Sequence, residues 1–507
     1  MNLISNKDLY DLVKSLTKSE KRFLKLNAAA NNFPDHLIEF FNVLEKEPDF
    51  VAELFKKKNE AEELYTFILK SLRLFYAENN ASFVIKDEIT NVLNLFDKAQ
   101  YKQCRKILNK QKQEAYLYER FHFVLELISL EKQLISIETQ FNISQNTLEN
   151  LIKEEEDVIK KAKNLGEYTL LFSRINLNTR QKNKAKTQED LDTIASILNS
   201  PLLKNEKLIY SSKSRIIYHH CRSILFCRCQ DNQSREVECQ LLLDLMDKEP
   251  ALIEEMPNRY ITTLNNLINI AFEERKFKTC LKRIEDLQLK SDKKAFNTTD
   301  LQLKSITSVL NAKLSLYTNL GKQKDAENVV KEIEVILNQY EDKISNEDKI
   351  VFDYNIAIMN TYFGNYKKAQ TYITRVLNQG NKLLREDLQS FARILNIGLN
   401  YELNNLKQIS YIILTLKENL KNQISHFKTE TLILTYFEKL ANLKLQKASS
   451  EKEIFESFQK DLKEVMKDPH ETNVNFYFEI ELYVQSKLSG ISMHKLVSEK
   501  YKQASLV

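Results

Sequence analysis

The chain has 507 residues, with 75 Lys and Arg against 70 Asp and Glu for a net charge of +5, and only 6 glycines, 6 prolines and no tryptophan. Average usage would put roughly 35 glycines and 25 prolines in such a length. Because Gly and Pro build β-turns and phosphate-holding loops, these counts exclude sandwiches, barrels, dinucleotide-binding domains and P-loop ATPases, leaving an all-α protein. At 43% hydrophobic and 29% charged the composition is that of a folded chain, and its charges are interleaved, as in Lys153–Asp157 followed by Lys160 and Lys161.

The first eight residues carry no basic-then-apolar signal pattern, and the most apolar stretches, 121–130 and 411–416, are too short to span a membrane. Six irregularly spaced cysteines do not suggest a disulfide framework. The expectation is a cytoplasmic protein with reduced thiols and no membrane contact.

Leu9, Leu12, Val13 and Leu16 recur at one helical face, and Thr17-Lys18-Ser19-Glu20 reads as a capping box. Pro34 and Pro48 fit the first turns of two further short helices, so residues 1–58 read as a helical bundle. Residues 59–200 read as longer helix hairpins, with stripes at Leu64, Phe67, Ile68, Ser71, Leu72 and Phe75 and again from Phe121 through Leu125, Ile128 and Leu134. Asn178–Lys186 and Ser291–Thr299 are polar interruptions, and Thr187–Asp190 restarts a helix. Residues 201–425 read as a repeat array, with capping helices at 426–507.

The array rests on internal similarity. A small or apolar residue early in a second helix falls at Cys280, Ala326, Ala369 and Ile409, steps of 46, 43 and 40 residues. Helix pairs of that period bury their apolar faces only by stacking on neighbours. Tyr354-Asn355-Ile356-Ala357, followed by Gly364-Asn365-Tyr366-Lys367-Lys368-Ala369, resembles the tetratricopeptide repeat, with weaker likeness over 260–420 and echoes of its turn at Gly166 and Tyr101. The resemblance implies a right-handed solenoid of antiparallel helix pairs. It also implies a concave groove in which Asn266, Asn355 and Asn396 hydrogen-bond a peptide backbone, beside Tyr354, Ile358 and Tyr362. The periods exceed that family's usual length. Positions that hold carboxylate-binding lysines in some members have no counterpart here, Ala392 being one.

Motifs for catalysis are absent: there is no Walker loop, no Gly-x-Ser-x-Gly elbow and no His-Glu-x-x-His. No catalytic residue and no cofactor are expected. His219, His220, Cys221, Cys227, Cys229 and Cys239 form the one cluster of metal-ligand types. Residues 207–229 read as one helix, on which Cys227 and Cys229 diverge by roughly 200°. That favours buried packing thiols, with no metal site. Arg180, Lys182, Lys184 and Lys186 form a basic loop, more simply solvated than a nucleic-acid clamp. The expected function is a non-enzymatic scaffold for a protein or peptide partner. The alternatives are a peptide-responsive regulator and a nucleic-acid-associated protein using the basic loop.

Overall fold

A computed structural model describes residues 5–55, 58–77, 81–137, 145–181, 185, 188–291, 294–380, 384–421, 428–446, 450–468, 471 and 474–504. Its regular elements are all helices, and among the described residues there is no β-strand and no helix long and apolar enough to cross a membrane. The chain divides into two compact units, 1–162 and 163–507.

In the first unit, α1 (Asn6–Ser15), α2 (Lys18–Ala30), α3 (Asp35–Lys46) and α4 (Lys58–Tyr76) share one core, in which Leu9, Val13, Leu24, Phe41, Leu44, Leu64 and Ile68 are buried. Capping boxes open the first two helices, Ser5 with Asp8 and Thr17 with Glu20. Glu20 also accepts the Tyr76 hydroxyl at 2.5 Å, which ties α2 to α4. Pro34 immediately precedes α3, as its fixed φ favours. Pro48 starts no α-helix: the chain bends there and makes one short 3₁₀ turn at Ala52–Leu54.

Next come α5 (Ala81–Asp97), α6 (Tyr101–Leu117), α7 (Phe121–Ile137) and the long α8 (Gln145–Gln181). α5 packs on α6, and α6 on α7. Lys112 of α6 reaches Glu131 of α7 at 2.8 Å and Glu154 of α8 at 3.1 Å. Gly166 lies inside α8, so it marks no turn; Asn178–Gln181 are also helical, which shortens the expected loop.

In the second unit, α9 (Gln188–Leu198) and α10 (Pro201–Lys204) pack on α11 (Ser212–Cys229). The latter starts at Ser212, capped by Ser211, and residues 206–208 form a separate 3₁₀ turn. Then follow α12 (Asn232–Lys248), α13 (Pro250–Glu255), α14 (Pro257–Glu273), α15 (Phe277–Ser291), α16 (Thr299–Asn319) and α17 (Gln323–Gln339). The series continues with α18 (Asn346–Tyr362), α19 (Tyr366–Leu377), α20 (Glu386–Glu402), α21 (Leu406–Lys421), α22 (Lys428–Gln446) and α23 (Glu451–Val465). Adjacent helices pair as α11/α12, α14/α15, α16/α17, α18/α19, α20/α21 and α22/α23. First helices also touch in order, α14 on α16, α16 on α18, α18 on α20 and α20 on α22, making one continuous layer.

One turn closes the first five of these pairs. The sixth residue donates its N–H back to the first carbonyl: Asp231 to Phe226 at 3.0 Å, Lys276 to Ala271 at 2.8 Å, Lys322 to Tyr317 at 2.9 Å, Asn365 to Asn360 at 2.7 Å and Asn405 to Asn400 at 2.8 Å. The donors step by 45, 46, 43 and 40 residues. The same bond recurs outside the array at Gln100 and Arg120. Each turn has a left-handed residue: Gln230, Arg275, Gly321, Gly364 and Asn404 in the array, and Ala99 and Glu119 before it. Glycine scarcity thus does not mean scarcity of left-handed turns, since most are made by residues that bear the strain of a Cβ.

The series extends one pair earlier than the sequence similarity showed. Arg235 of α12 stands where Cys280, Ala326 and Ala369 stand in the later pairs, and it too is buried, 3.5 Å from Glu273. A charge in place of a small residue hid the pair.

Candidate functional site

The last elements, α24 (Val474–Tyr477), α25 (Ile480–Ser489) and α26 (Met493–Ala504), fold back over the layer of first helices. Between α24 and α25 the backbone at 478–479 is non-helical and lies on α18. Tyr354 donates its hydroxyl to the carbonyl of Tyr477 at 3.1 Å, and the N–H of Glu479 donates to the Tyr362 hydroxyl oxygen at 3.4 Å. Two side chains spaced by two helical turns therefore grip an irregular stretch of backbone. Burial holds both tyrosine hydroxyls protonated well above their ordinary range. The Tyr477 ring stacks on Phe391 of α20 with centroids 4.1 Å apart.

Glu479 joins this grip to the last helix. Its carboxylate is buried and accepts from Lys500 at 2.6 Å and from the Tyr501 hydroxyl at 2.7 Å. From there α26 runs along successive turns of the array. Tyr501 packs on Phe277 with Arg275 over its ring, Ser498 lies against Gly321, and His494 meets Phe363. Residues 494, 498 and 501 lie on one helical face. On α20, Glu402 accepts from the Tyr483 hydroxyl at 2.5 Å and from Lys487 at 2.7 Å. Between α20, α22 and this segment remains an apolar recess of about 20 Å³ lined by Gly398, Phe437, Phe478 and Tyr483, room for one water at most.

The residues singled out from sequence are distributed over this layer. Tyr354 and Tyr362 are buried under the C-terminal segment, and Ile358 is half-buried beside them. Asn266, Asn355 and Asn396 are half-buried on α14, α18 and α20. Asn355 donates to Asn311 of α16 at 3.3 Å, while Asn396 accepts from Gln370 at 2.6 Å and from Asn400 at 3.0 Å. The amides of Asn355 and Asn396 thus bond within the array. Asn311 escaped the sequence reading although it stands 45 residues after Asn266 and 44 before Asn355. Ala392 is fully buried. Of the basic loop, Arg180 belongs to the last turn of α8; its side chain, Lys182, Lys184 and Lys186 lie outside the described residues.

The histidine–cysteine cluster resolves into separate contacts. His219 Nδ1 lies 2.7 Å from the Glu238 carboxylate, which also accepts from Arg222 at 2.6 Å. Cys221 and Cys239 are buried, which pushes their thiols up to about 12 and about 11. No group of three metal-ligand side chains converges among the described residues. No family model, curated protein or solved structure matches this chain.

Proposed function

We propose that the chain is a non-enzymatic binding scaffold for a protein or peptide partner, built as a tetratricopeptide-like right-handed solenoid and working in the cytoplasm. The observation that carries the reading is the grip of Tyr354 and Tyr362 on the backbone of residues 477–479. Side chains that hold one irregular segment through its amide groups recognise it largely without regard to sequence, as a peptide groove does. The lack of nucleotide-binding and nucleophile motifs supports the non-enzymatic part, and six cysteines outside any disulfide support the compartment.

A second reading, a peptide-responsive regulator, is favoured by the same segment. If residues 474–504 occupy the binding face, an incoming peptide must displace them, and affinity falls by the fraction of time the face is open. Partner capture by the full chain tests both readings. Glu479→Ala loosens the segment without touching the α18 tyrosines and should raise capture, whereas Tyr354→Phe with Tyr362→Phe removes both backbone contacts and should weaken capture of peptides whatever their sequence. Identical captured sets from the parent chain and both variants would refute the assignment of this face.

A further inference from the structure

Several buried or half-buried cations among the described residues have a carboxylate beside them. Lys213 meets Glu255 at 2.8 Å, Arg222 meets Glu238 at 2.6 Å, Arg385 meets Asp387 at 2.8 Å, and Arg228 lies in the field of Asp190. Arg259, near the start of α14, departs from this pattern. Its Nη1 is buried without a hydrogen-bond partner, and among the described residues no carboxylate pairs with it. Its guanidinium lies over the Phe172 ring at 4.4 Å, which satisfies the face of the group and leaves Nη1 unanswered.

Two further groups gather there. Lys304 of α16, seven residues before Asn311 as Arg259 is before Asn266, is half-buried, and its ammonium donates to the neutral Asn258 amide oxygen at 2.8 Å. His220 of α11 is buried with its ring 5.3 Å from Phe172 and its Nδ1 unpaired. The three are close enough to repel: burial first, then Arg259 and Lys304, hold the His220 imidazole well below its usual range, and Arg259 works against the charge on Lys304. Asp300 and Asp348 partly offset Lys304; among the described residues they make no ion pair with Arg259.

Burying uncompensated positive charge is costly, and the usual answer is a bound anion. We propose that Arg259 and Lys304, flanked by His220, form a binding site for a phosphoryl-type oxyanion. The donors come from three different helices, so they suit a tetrahedral group with oxygens in several directions better than a planar carboxylate. Arg259 supplies the fork that matches two of those oxygens, and Lys304 supplies a mobile point charge at the solvent edge. Free phosphate and a phosphorylated side chain share this chemistry.

The test is line broadening of inorganic phosphate in phosphorus NMR, titrated with the full chain at constant ionic strength. Saturable broadening is expected, weakened about tenfold or more by Lys304→Met or Arg259→Gln, and unchanged by Lys452→Met on an exposed helix face. Arg259→Lys keeps the charge and should retain part of the binding; should Arg259→Gln lose its helical circular dichroism, Lys304→Met decides. A phosphoserine peptide that competes more strongly than inorganic phosphate assigns the group to a protein partner, and equal competition assigns it to the free ion. Absence of saturable broadening, broadening untouched by the Lys304 change, or acetate that binds as tightly as phosphate would overturn the proposal.

Discussion

Tyr354 donates its hydroxyl to the backbone carbonyl of Tyr477, 123 residues later in the chain. The bond links a first helix of the array to the segment that covers it, and both groups are buried, so neither has water as an alternative. Tyr354→Phe leaves the carbonyl of Tyr477 unanswered while keeping the ring. The expected loss is about 1–2 kcal/mol in urea unfolding. Amide hydrogen exchange at 474–480 should quicken relative to α18. Exchange that stays unchanged there would show that the bond does not hold the segment.

Glu479 is the stronger fastening, because it anchors Lys500 and Tyr501 together. Removing it leaves a half-buried ammonium and a buried hydroxyl without their partner. Glu479→Ala should cost about 3–5 kcal/mol, with α26 the first element to lose exchange protection. Glu479→Gln keeps an acceptor and should cost less.

Two glycines with the same left-handed backbone separate conformational strain from contact. A Cβ on Gly364 meets nothing within 4 Å, whereas one on Gly321 falls 2.9 Å from Ser498 Cβ. Gly364→Ala should cost about 1 kcal/mol for its positive φ alone. Gly321→Ala should cost more and should also release α26, seen as faster proteolysis near residue 498. Equal losses would mean that α26 does not press on that turn.

Asp353 gives a pH signature. Burial raises its carboxyl to about 6 from 3.8, with Arg375 working the other way. The folded chain therefore takes up this proton before the unfolded chain does, so stability falls as pH rises from about 4 to about 6 and stays lower above that window. The effect is at most about 2–3 kcal/mol. Asp353→Asn should remove that slope and leave the protein at least as stable at pH 7. A slope that persists in the variant must come from another group.

The thiols divide by burial. Cys104, Cys221, Cys239 and Cys280 are buried, while Cys227 and Cys229 are partly exposed. Alkylation of the native chain at pH 7 should modify Cys227 first, since burial raises the Cys229 thiol and its reactivity follows the thiolate. Modification of Cys221 before Cys227 would contradict the packing of α11.

Local chemistry in the sequence sufficed for the helices, the capping box at Thr17 and the hairpin period, because a 3.6-residue stripe and a repeated turn are both short-range signals. The glycine of the turn at 364 was legible for the same reason, while Gln230 and Arg275 were not, since a left-handed residue other than Gly or Asn leaves no compositional mark. Asn355 and Asn396 were legible as a row but not as bonded groups, because their partners Asn311 and Gln370 come from other helices. Tertiary structure alone decided what lies on the layer of first helices. Residues 474–504 read as ordinary capping helices, and nothing local in them says that Tyr477 and Glu479 meet tyrosines more than a hundred residues away. Likewise only packing shows that Arg259 lacks a carboxylate among the described residues, since the charge count of the chain is nearly balanced and burial, not composition, determines which charge goes unpaired.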